Sequence, residues 1–352
     1  MKKGNTVGMD LGDRFHAICV LDSEGTVIER KKLKNTKEAL EAYYGDCPSC
    51  QVALEAGTHS GWISRLLESM GHQVVVAQPR AVRAIWSSDR KNDAADAEML
   101  ARLLRADPKL LSPIKHRSEQ AQVDLLMIKA RDGLVQMRTK LINQVRGLGK
   151  SLGHRFPASD THTFALKARA ELPDMLAEAL ESVLDVIDEL SQRIRIYDKK
   201  IEQRARNDYP ETATLQSVPG VGALTALAYV LTLDDPTRFE RSREVGPYLG
   251  LVPRQDQSGE QDKQLRITKA GDRYLRRLLV GSAQYLLGAF GPDCQLRRFG
   301  LSLAERGGKA AKKRAVVAVA RKLAVLLHKL WVSGDLFDPQ FGLPVESTNR
   351  AA

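Results

Sequence analysis

Four carboxylates in this 352-residue chain have the type and placement to do chemistry: Asp10, Glu55, Asp93 and Asp96. Asp93 and Asp96 lie three apart in Asn92-Asp93-Ala94-Ala95-Asp96-Ala97-Glu98, and a helix puts residues at that spacing on one face. Two carboxylates side by side repel unless a cation sits between them. Alone, the pair is more simply the acidic first turn of a helix, where negative side chains suit the positive end of the dipole. Asp10, in Met9-Asp10-Leu11-Gly12, lies on a first strand; Glu55, in Leu54-Glu55-Ala56-Gly57, ends a later one. Four carboxylates gathered in one cleft would make a site for hard divalent cations, which take oxygen ligands. Two Mg²⁺ ions roughly 3.5–4 Å apart can activate an attacking oxygen and stabilise a leaving one in phosphoryl transfer.

The elements that must position these groups follow from hydrophobic period. Alternating runs at 6–12, 16–21 and 27–33 predict three strands, with Asp22-Ser23-Glu24-Gly25 as a turn. A helical pattern covers 36–44, a fourth strand 51–55, a helix 60–70 stopped by Gly71, and a fifth strand 73–77. A helix over 89–104 follows, with Ala97, Leu100, Ala101 and Leu104 at three- and four-residue spacing and Asp89 or Asn92 as its cap. Three strands, helix, strand, helix, strand, helix is the element order of a ribonuclease H-like fold. In such a mixed sheet, catalytic groups gather where strand ends meet a helix. The four carboxylates are therefore expected to converge.

The middle of the chain changes character. Val123, Met127, Ala130, Leu134, Met137, Leu141 and Leu148 keep a heptad-like register. Leu176, Leu180, Val183, Ile187, Leu190, Ile194, Tyr197 and Ile201 keep a cleaner one. Both predict long helices, as an antiparallel hairpin or a dimerising coiled coil, with residues 153–163 as the loop between them. After Pro210, Ser217-Val218-Pro219-Gly220-Val221-Gly222 resembles a helix-hairpin-helix turn, in which Gly220 and Gly222 let backbone amides approach a phosphate. Residues 246–260 are polar and punctuated by Gly and Pro, which predicts an exposed loop.

The net charge of +11 is uneven: residues 263–322 hold fifteen Lys and Arg against Asp272, Asp293 and Glu305. Charge concentrated in this way points to a polyanion, usually nucleic acid. Arg254, Lys269, Arg273, Arg276, Arg277, Lys312, Lys313 and Arg314 are the expected phosphate contacts. Hydrophobic content of 43% and charged content of 28% are those of a soluble globular protein. The chain lacks an apolar run of the roughly eighteen residues a membrane span needs, and the start lacks a signal-peptide core. A cytoplasmic protein with no membrane partner is expected. Four cysteines are too few for a disulfide scaffold. Cys47-Pro48-Ser49-Cys50 is a lone CxxC, read as a reduced loop pair.

Taken together these motifs resemble the DEDD-type transposases of insertion sequences, also called bridge recombinases. The resemblance covers nearly the whole chain. It rests on MDLG, LEAG and NDAADAE in the N-terminal part, and on SVPGVG, GLVPRQDQSG and ITKAGDRYLRRLLV in the C-terminal part. It implies a RuvC-like nuclease domain over 1–115, a helical coiled-coil connector over 116–208 and a mainly helical transposase domain over 209–345. The catalytic residues it implies are Asp10, Glu55, Asp93 and Asp96, holding Mg²⁺, and Ser258 as the nucleophile that joins covalently to DNA. It also implies that the tetrad and the serine work together across subunits of a dimer or tetramer. A structured non-coding guide RNA would pair with target and donor DNA. Ser258 is preceded by Gln257, where related loops often carry a second serine. A metal-dependent resolvase or nuclease attacking with water is the alternative. A non-enzymatic nucleic-acid-binding protein with a decayed nuclease fold is disfavoured by the presence of all four carboxylates.

Overall fold

The computed structural model describes residues 4–85, 92–258 and 261–340. The chain divides into two units, Met1–His116 and Arg117–Ala352, and each is considered by itself.

The first unit is α/β. Its elements are β1 (Thr6–Asp10), β2 (Phe15–Leu21), β3 (Val27–Lys34), α1 (Lys37–Tyr44), β4 (Gln51–Glu55), α2 (Ser60–Ser69), β5 (Gln73–Ala77), α3 (Pro79–Ile85) and α4 (Asp93–Ala106). The strands form one mixed sheet in the order β3-β2-β1-β4-β5. β1 is antiparallel to β2 and parallel to β4, and β4 is parallel to β5. Side chains alternate across a strand, so the sheet has two distinct faces. Val7, Met9, Ile18, Val20, Val52 and Leu54 pack with Leu40 and Tyr44 of α1 and Ile63 and Leu67 of α2. The opposite face is made of small residues. Ala17 and Cys19 meet Ala97 and Ala101 of α4, and Ala53 and Ala77 meet Leu100 and Leu104. Gly8 lies where α4 crosses β1. A Cβ there would fall 1.9 Å from the Ala97 carbonyl oxygen and 2.5 Å from the Ala101 nitrogen. Asn92 caps α4, its side chain accepting from the Ala94 amide at 3.0 Å. Asp89, the other expected cap, lies outside the described residues. β1 ends at Asp10, and α3 stands where no helix was expected.

The second unit is mainly helical: α5 (Glu119–Ser151), α6 (Phe164–Ala170), α7 (Asp174–Asp208), α8 (Glu211–Gln216), α9 (Ala223–Leu233), α10 (Val245–Tyr248), a ribbon of β6 (Pro253–Ser258) and β7 (Gln261–Ile267), then α11 (Arg273–Leu287), α12 (Gln295–Ala304) and α13 (Gly308–Ser333). α5 and α7 pair antiparallel within one chain. The pairs Asp124–Arg204 (3.6 Å), Arg131–Asp198 (2.6 Å) and Arg138–Ser191 (3.2 Å) advance along one helix as they retreat along the other. α7 buries the expected seam, including Leu176, Leu180, Ile187, Leu190, Ile194 and Ile201. α5 does not. It buries Ala121, Leu125, Ile128, Ile142 and Val145 in one stripe with Asp124 and Arg138, while Val123, Met137 and Leu148 of the expected register are 53%, 56% and 45% exposed. The seam of α5 holds Asp124, Arg131 and Arg138 at seven-residue spacing, each paired with a residue of α7. A count of apolar positions therefore selects the neighbouring stripe.

The rest of the unit surrounds α9, buried from Thr225 to Leu233. Leu275, Leu279 and Ala283 of α11, Val319, Leu323 and Leu327 of α13, and Leu125, Ile128, Ile201 and Ala205 from the long pair all join its core. The base of the helix pair thus belongs to the same core as the C-terminal helices. Residues 253–258, expected as loop, form β6, which pairs antiparallel with β7.

Candidate active site

β1 and β4 run parallel and adjacent, with Met9 opposite Leu54. Their next residues, Asp10 and Glu55, therefore emerge side by side at the same edge of the sheet. α4, held against β1 at Gly8, brings Asp96 to that edge. Asp10, Glu55 and Asp96 line one cavity of about 320 Å³, whose wall is completed by the 56–59 loop and by Val82 and Arg83 of α3. Ser60 holds this loop, accepting from the Gly57 amide (3.0 Å) and donating to the Gly57 carbonyl (2.8 Å). Asp93 sits one turn earlier on α4, exposed and not part of the cavity wall. Glu98, in the same motif, is engaged elsewhere. Arg30 (2.7 Å) and Arg102 (2.6 Å) bind its carboxylate and hold its pKa below the usual range.

The donor set suits a hard divalent cation: Asp10, Glu55 and Asp96 share a cavity with room for water ligands. Among the described residues no three acidic, His or Cys side chains stand close enough to hold an ion as they are. Carboxylates with no cation between them repel, and an ion would have to draw these together.

His59 and Asp13 were not singled out in the sequence and also line the cavity. His59 Nε2 lies 3.1 Å from Asp13 Oδ1, and Trp62 donates its indole N–H to His59 Nδ1 at 3.4 Å. An imidazole that accepts at Nδ1 carries its proton on Nε2, so His59 donates to Asp13. The only sequence signal was the position of His59 in the turn after Glu55.

Ser258 ends β6 and pairs with Gln261; Gly259 and Glu260 lie outside the described residues. The feet of this ribbon are braced. The Thr268 amide donates to the Val252 carbonyl (2.9 Å) and the Lys269 amide to that of Gly250 (3.1 Å). Gly250 and Gly271 have φ of +66° and +70°. A Cβ on Gly250 would come 2.2 Å from the Ala270 nitrogen, and one on Gly271 2.1 Å from the Tyr248 oxygen. Arg276 ties the two feet together. Its guanidinium donates to the carbonyls of Leu249 (3.0 Å) and Gly271 (3.2 Å), and to that of Ala270.

This corrects one expected phosphate contact: Arg276 is buried, 9% exposed, and its donors serve the backbone. Arg254, Lys269, Arg273, Lys312, Lys313 and Arg314 are exposed as expected. Arg277 is exposed too, but pairs with Asp132 and lies over the Tyr274 ring. Gly220 and Gly222 fall in the exposed turn between α8 and α9. Gly220 has φ +80°, and a Cβ there would meet Tyr285 at 2.8 Å, so close packing on α11 requires glycine. Gly222 precedes α9, which has no side-chain cap.

The CxxC is a structural pair of free thiols. Cys50 Sγ lies 3.3 Å from His72 Nδ1, and burial pushes its thiol up to about 11. No helix among the described residues is long and apolar enough to cross a membrane.

An acidic cavity on a mixed sheet and a separate helical unit with exposed basic side chains define an enzyme built for a polyanionic substrate. Sequence comparison gives the family. A transposase family description, the DEDD transposases of the IS110 group, matches residues 7–151, and one for transposases of the IS116/IS110/IS902 family matches residues 212–296. The transposase of insertion sequence IS1328 from Yersinia enterocolitica is 31% identical, covering 79% of this chain and 82% of that one. A probable family 20 transposase of Pseudomonas aeruginosa is 30% identical over the same shares. The IS1111A transposase of Coxiella burnetii is 30% identical over 94% of this chain and 90% of its own. The chain belongs to the IS116/IS110/IS902 family of insertion-sequence transposases, DNA-recombining enzymes whose acidic site points to a divalent metal.

Proposed function

We propose that this transposase cuts and rejoins DNA through a phosphoserine on Ser258, with two Mg²⁺ ions held by Asp10, Glu55, Asp93 and Asp96, and with a structured RNA from the element as guide. The observation that carries the metal site is the meeting of Asp10, Glu55 and Asp96 at one cavity. A ribonuclease H- or RuvC-like reading of residues 1–115 is supported by the strand order β3-β2-β1-β4-β5, with β2 antiparallel to a central β1 that α4 crosses. Residues 116–208 act as a helical connector and 209–345 as the transposase domain of a dimer or tetramer.

In the proposed step, the Ser258 hydroxyl gives up its proton and its oxygen bonds to the phosphorus. The bond from phosphorus to the departing deoxyribose oxygen breaks, and that oxygen takes a proton. Divalent ions, when bound, supply the charge that lowers the hydroxyl's pKa and stabilises the departing oxygen. Asp10, Glu55, Asp93 and Asp96 would hold them. Pairing with Gln261 holds the Ser258 backbone in a strand, which saves entropy at the moment of attack. A serine ester keeps the phosphodiester's bond energy, so strands can be resealed without ATP.

The test is incubation with labelled target and donor DNA and the guide RNA, resolved on a denaturing gel. A protein–DNA adduct that needs Mg²⁺ and vanishes in Ser258→Ala is expected, with nucleic-acid binding retained. Cutting and rejoining by Ser258→Ala at the parental rate would assign the attack to water, as in a resolvase. Equal activity with and without the RNA would remove the guide from the scheme.

A further inference from the structure

A cavity of about 680 Å³ lies between α5 and α11 in the helical unit. Tyr274 and Arg277 of α11 form one wall, and Asp132, Gln136, Lys140 and Asn143 of α5 form the other. Its volume is within the range of small-ligand sites, roughly 300–1,000 Å³. The Arg277 guanidinium lies 4.8 Å from the Tyr274 ring centroid, stacked over it. Asp132 holds Arg277 in that pose and is itself bound by Gln136 at 2.6 Å. The result is a guanidinium held in place over an aromatic ring. Lys140 and Asn143 follow at helical spacing on the same face of α5, exposed and with no hydrogen bond or ion pair among the described residues.

We propose that this cavity seats an unpaired nucleotide of single-stranded DNA. Aromatic rings and guanidinium planes are stacking platforms for bases, whatever the sequence. The Asn143 and Gln136 amides offer both donors and acceptors to a base edge, and Lys140 supplies a phosphate contact. A duplex keeps its bases stacked on one another and presents phosphate outward, so it cannot offer a base to this stack. The surface its lining side chains present is largely apolar, which suits the face of a base. Any enzyme that cuts and exchanges strands creates unpaired ends, and a site for them keeps the ends from re-pairing before they are joined. The inference rests on the DNA-recombining activity of the family and not on the identity of the nucleophile.

The test measures binding by fluorescence anisotropy of the full-length protein at fixed salt, with four probes of equal length: single-stranded DNA, RNA of the same sequence, an abasic strand with the same phosphates, and blunt duplex. The parent should prefer the normal strand to the abasic one by about 5- to 100-fold, the contribution of stacking one base. Tyr274→Leu keeps the apolar bulk and should erase that preference while leaving duplex affinity unchanged. Should Tyr274→Leu fail to fold, Lys140→Glu with Asn143→Asp at exposed positions gives the same reading, with single-strand affinity falling at least about tenfold. Equal binding of normal and abasic strands by the parent would overturn the proposal, as would a folded variant that keeps the full preference. If the preference appears only with RNA of the same sequence and is lost in these variants, the DNA assignment is overturned.

Discussion

The acidic cavity and the serine ribbon are built in opposite ways. At the cavity, each carboxylate is placed by buried neighbours on its own element: Asp10 ends β1 after Val7 and Met9, Glu55 ends β4 after Val52 and Leu54, and Asp96 in the first turns of α4 precedes Ala97. Burial of the element fixes the carboxylate. Among the residues of β6 and β7 whose side chains are described, Ile267 alone packs against the core. The ribbon is fixed at its feet by one buried arginine and two glycines with positive φ. The first arrangement resists displacement through packing over a wide area, and the second depends on a few polar contacts at one point. Substitutions should therefore act differently on the two.

The largest effects should come from the cavity. Asp10→Ala, Glu55→Ala and Asp96→Ala are each expected to lower DNA cleavage by about 10²–10³-fold or more, the scale lost with one electrostatic stabiliser. Folding and DNA affinity should stay near parental in melts and binding titrations. Asp93→Ala should join them as a member of the proposed tetrad. Parental cleavage by Asp93→Ala would reduce the proposed tetrad to Asp10, Glu55 and Asp96.

Next is the brace. Arg276→Met strands three carbonyls and should cost about 2–4 kcal/mol in denaturant unfolding, since buried hydrogen bonds to a charged group contribute roughly 1.5–3 kcal/mol each and part is recovered by relaxation. Adduct formation should fall with it. Arg273→Met, three residues away and exposed, should leave stability unchanged and make DNA binding less salt-dependent, by about 0.7–0.9 log units per log unit of salt. If both arginines behaved alike, the brace would be no more than another phosphate contact.

Gly8→Ala sharpens the comparison from the other side. A methyl at the β1–α4 crossing has no space, and overpacking of this kind costs about 1–3 kcal/mol. α4 should shift and carry Asp96 with it, lowering cleavage more than DNA binding. Equal losses in both assays would show that the crossing only supports folding.

The smallest effect concerns pH. His16 is fully buried on β2, and that burial lowers its pKa, with Asn35 opposing and His59 adding to the shift. Below about 6.5, the ordinary imidazole value, the unfolded chain takes up a proton that the folded chain resists. Stability is therefore intact above that pH and declines as pH falls through it. His16→Phe should flatten the melting temperature against pH between about 7 and 5. An unchanged slope would place the acid sensitivity elsewhere.

Much of the first unit was legible because its sheet alternates cleanly between two buried faces. β4 and β5 match the expected bounds residue for residue, and the Asn92 cap was readable from its place before the acidic turn. α3 was missed because Pro79 reads as a stop, although proline is favoured at the first position of a helix. The register of α5 was hidden by the buried Asp124 and Arg138. The ribbon escaped because its polar residues carry no apolar period. A Gly-X pair between two such runs, Gly259-Glu260, is the composition of a short hairpin connection and was the available signal. Arg276 resembled its neighbours in composition. Its position three and seven residues before the buried Leu279 and Ala283 marks it as inward-facing. The cavity itself lay beyond pattern reading, since it depends on two parallel strands being adjacent and on one helix crossing at a glycine.

The central claim is that the carboxylate cavity and Ser258 serve one phosphoryl transfer. Its most direct measurement is the yield of nucleotide-bearing Ser258 peptide, by mass spectrometry after digestion, in parental and Asp96→Ala protein incubated with DNA, guide RNA and Mg²⁺. The expected result is modified Ser258 in the parent and none above background in Asp96→Ala or in EDTA. Ser258 modified to the same extent in Asp96→Ala and in the parent would contradict it.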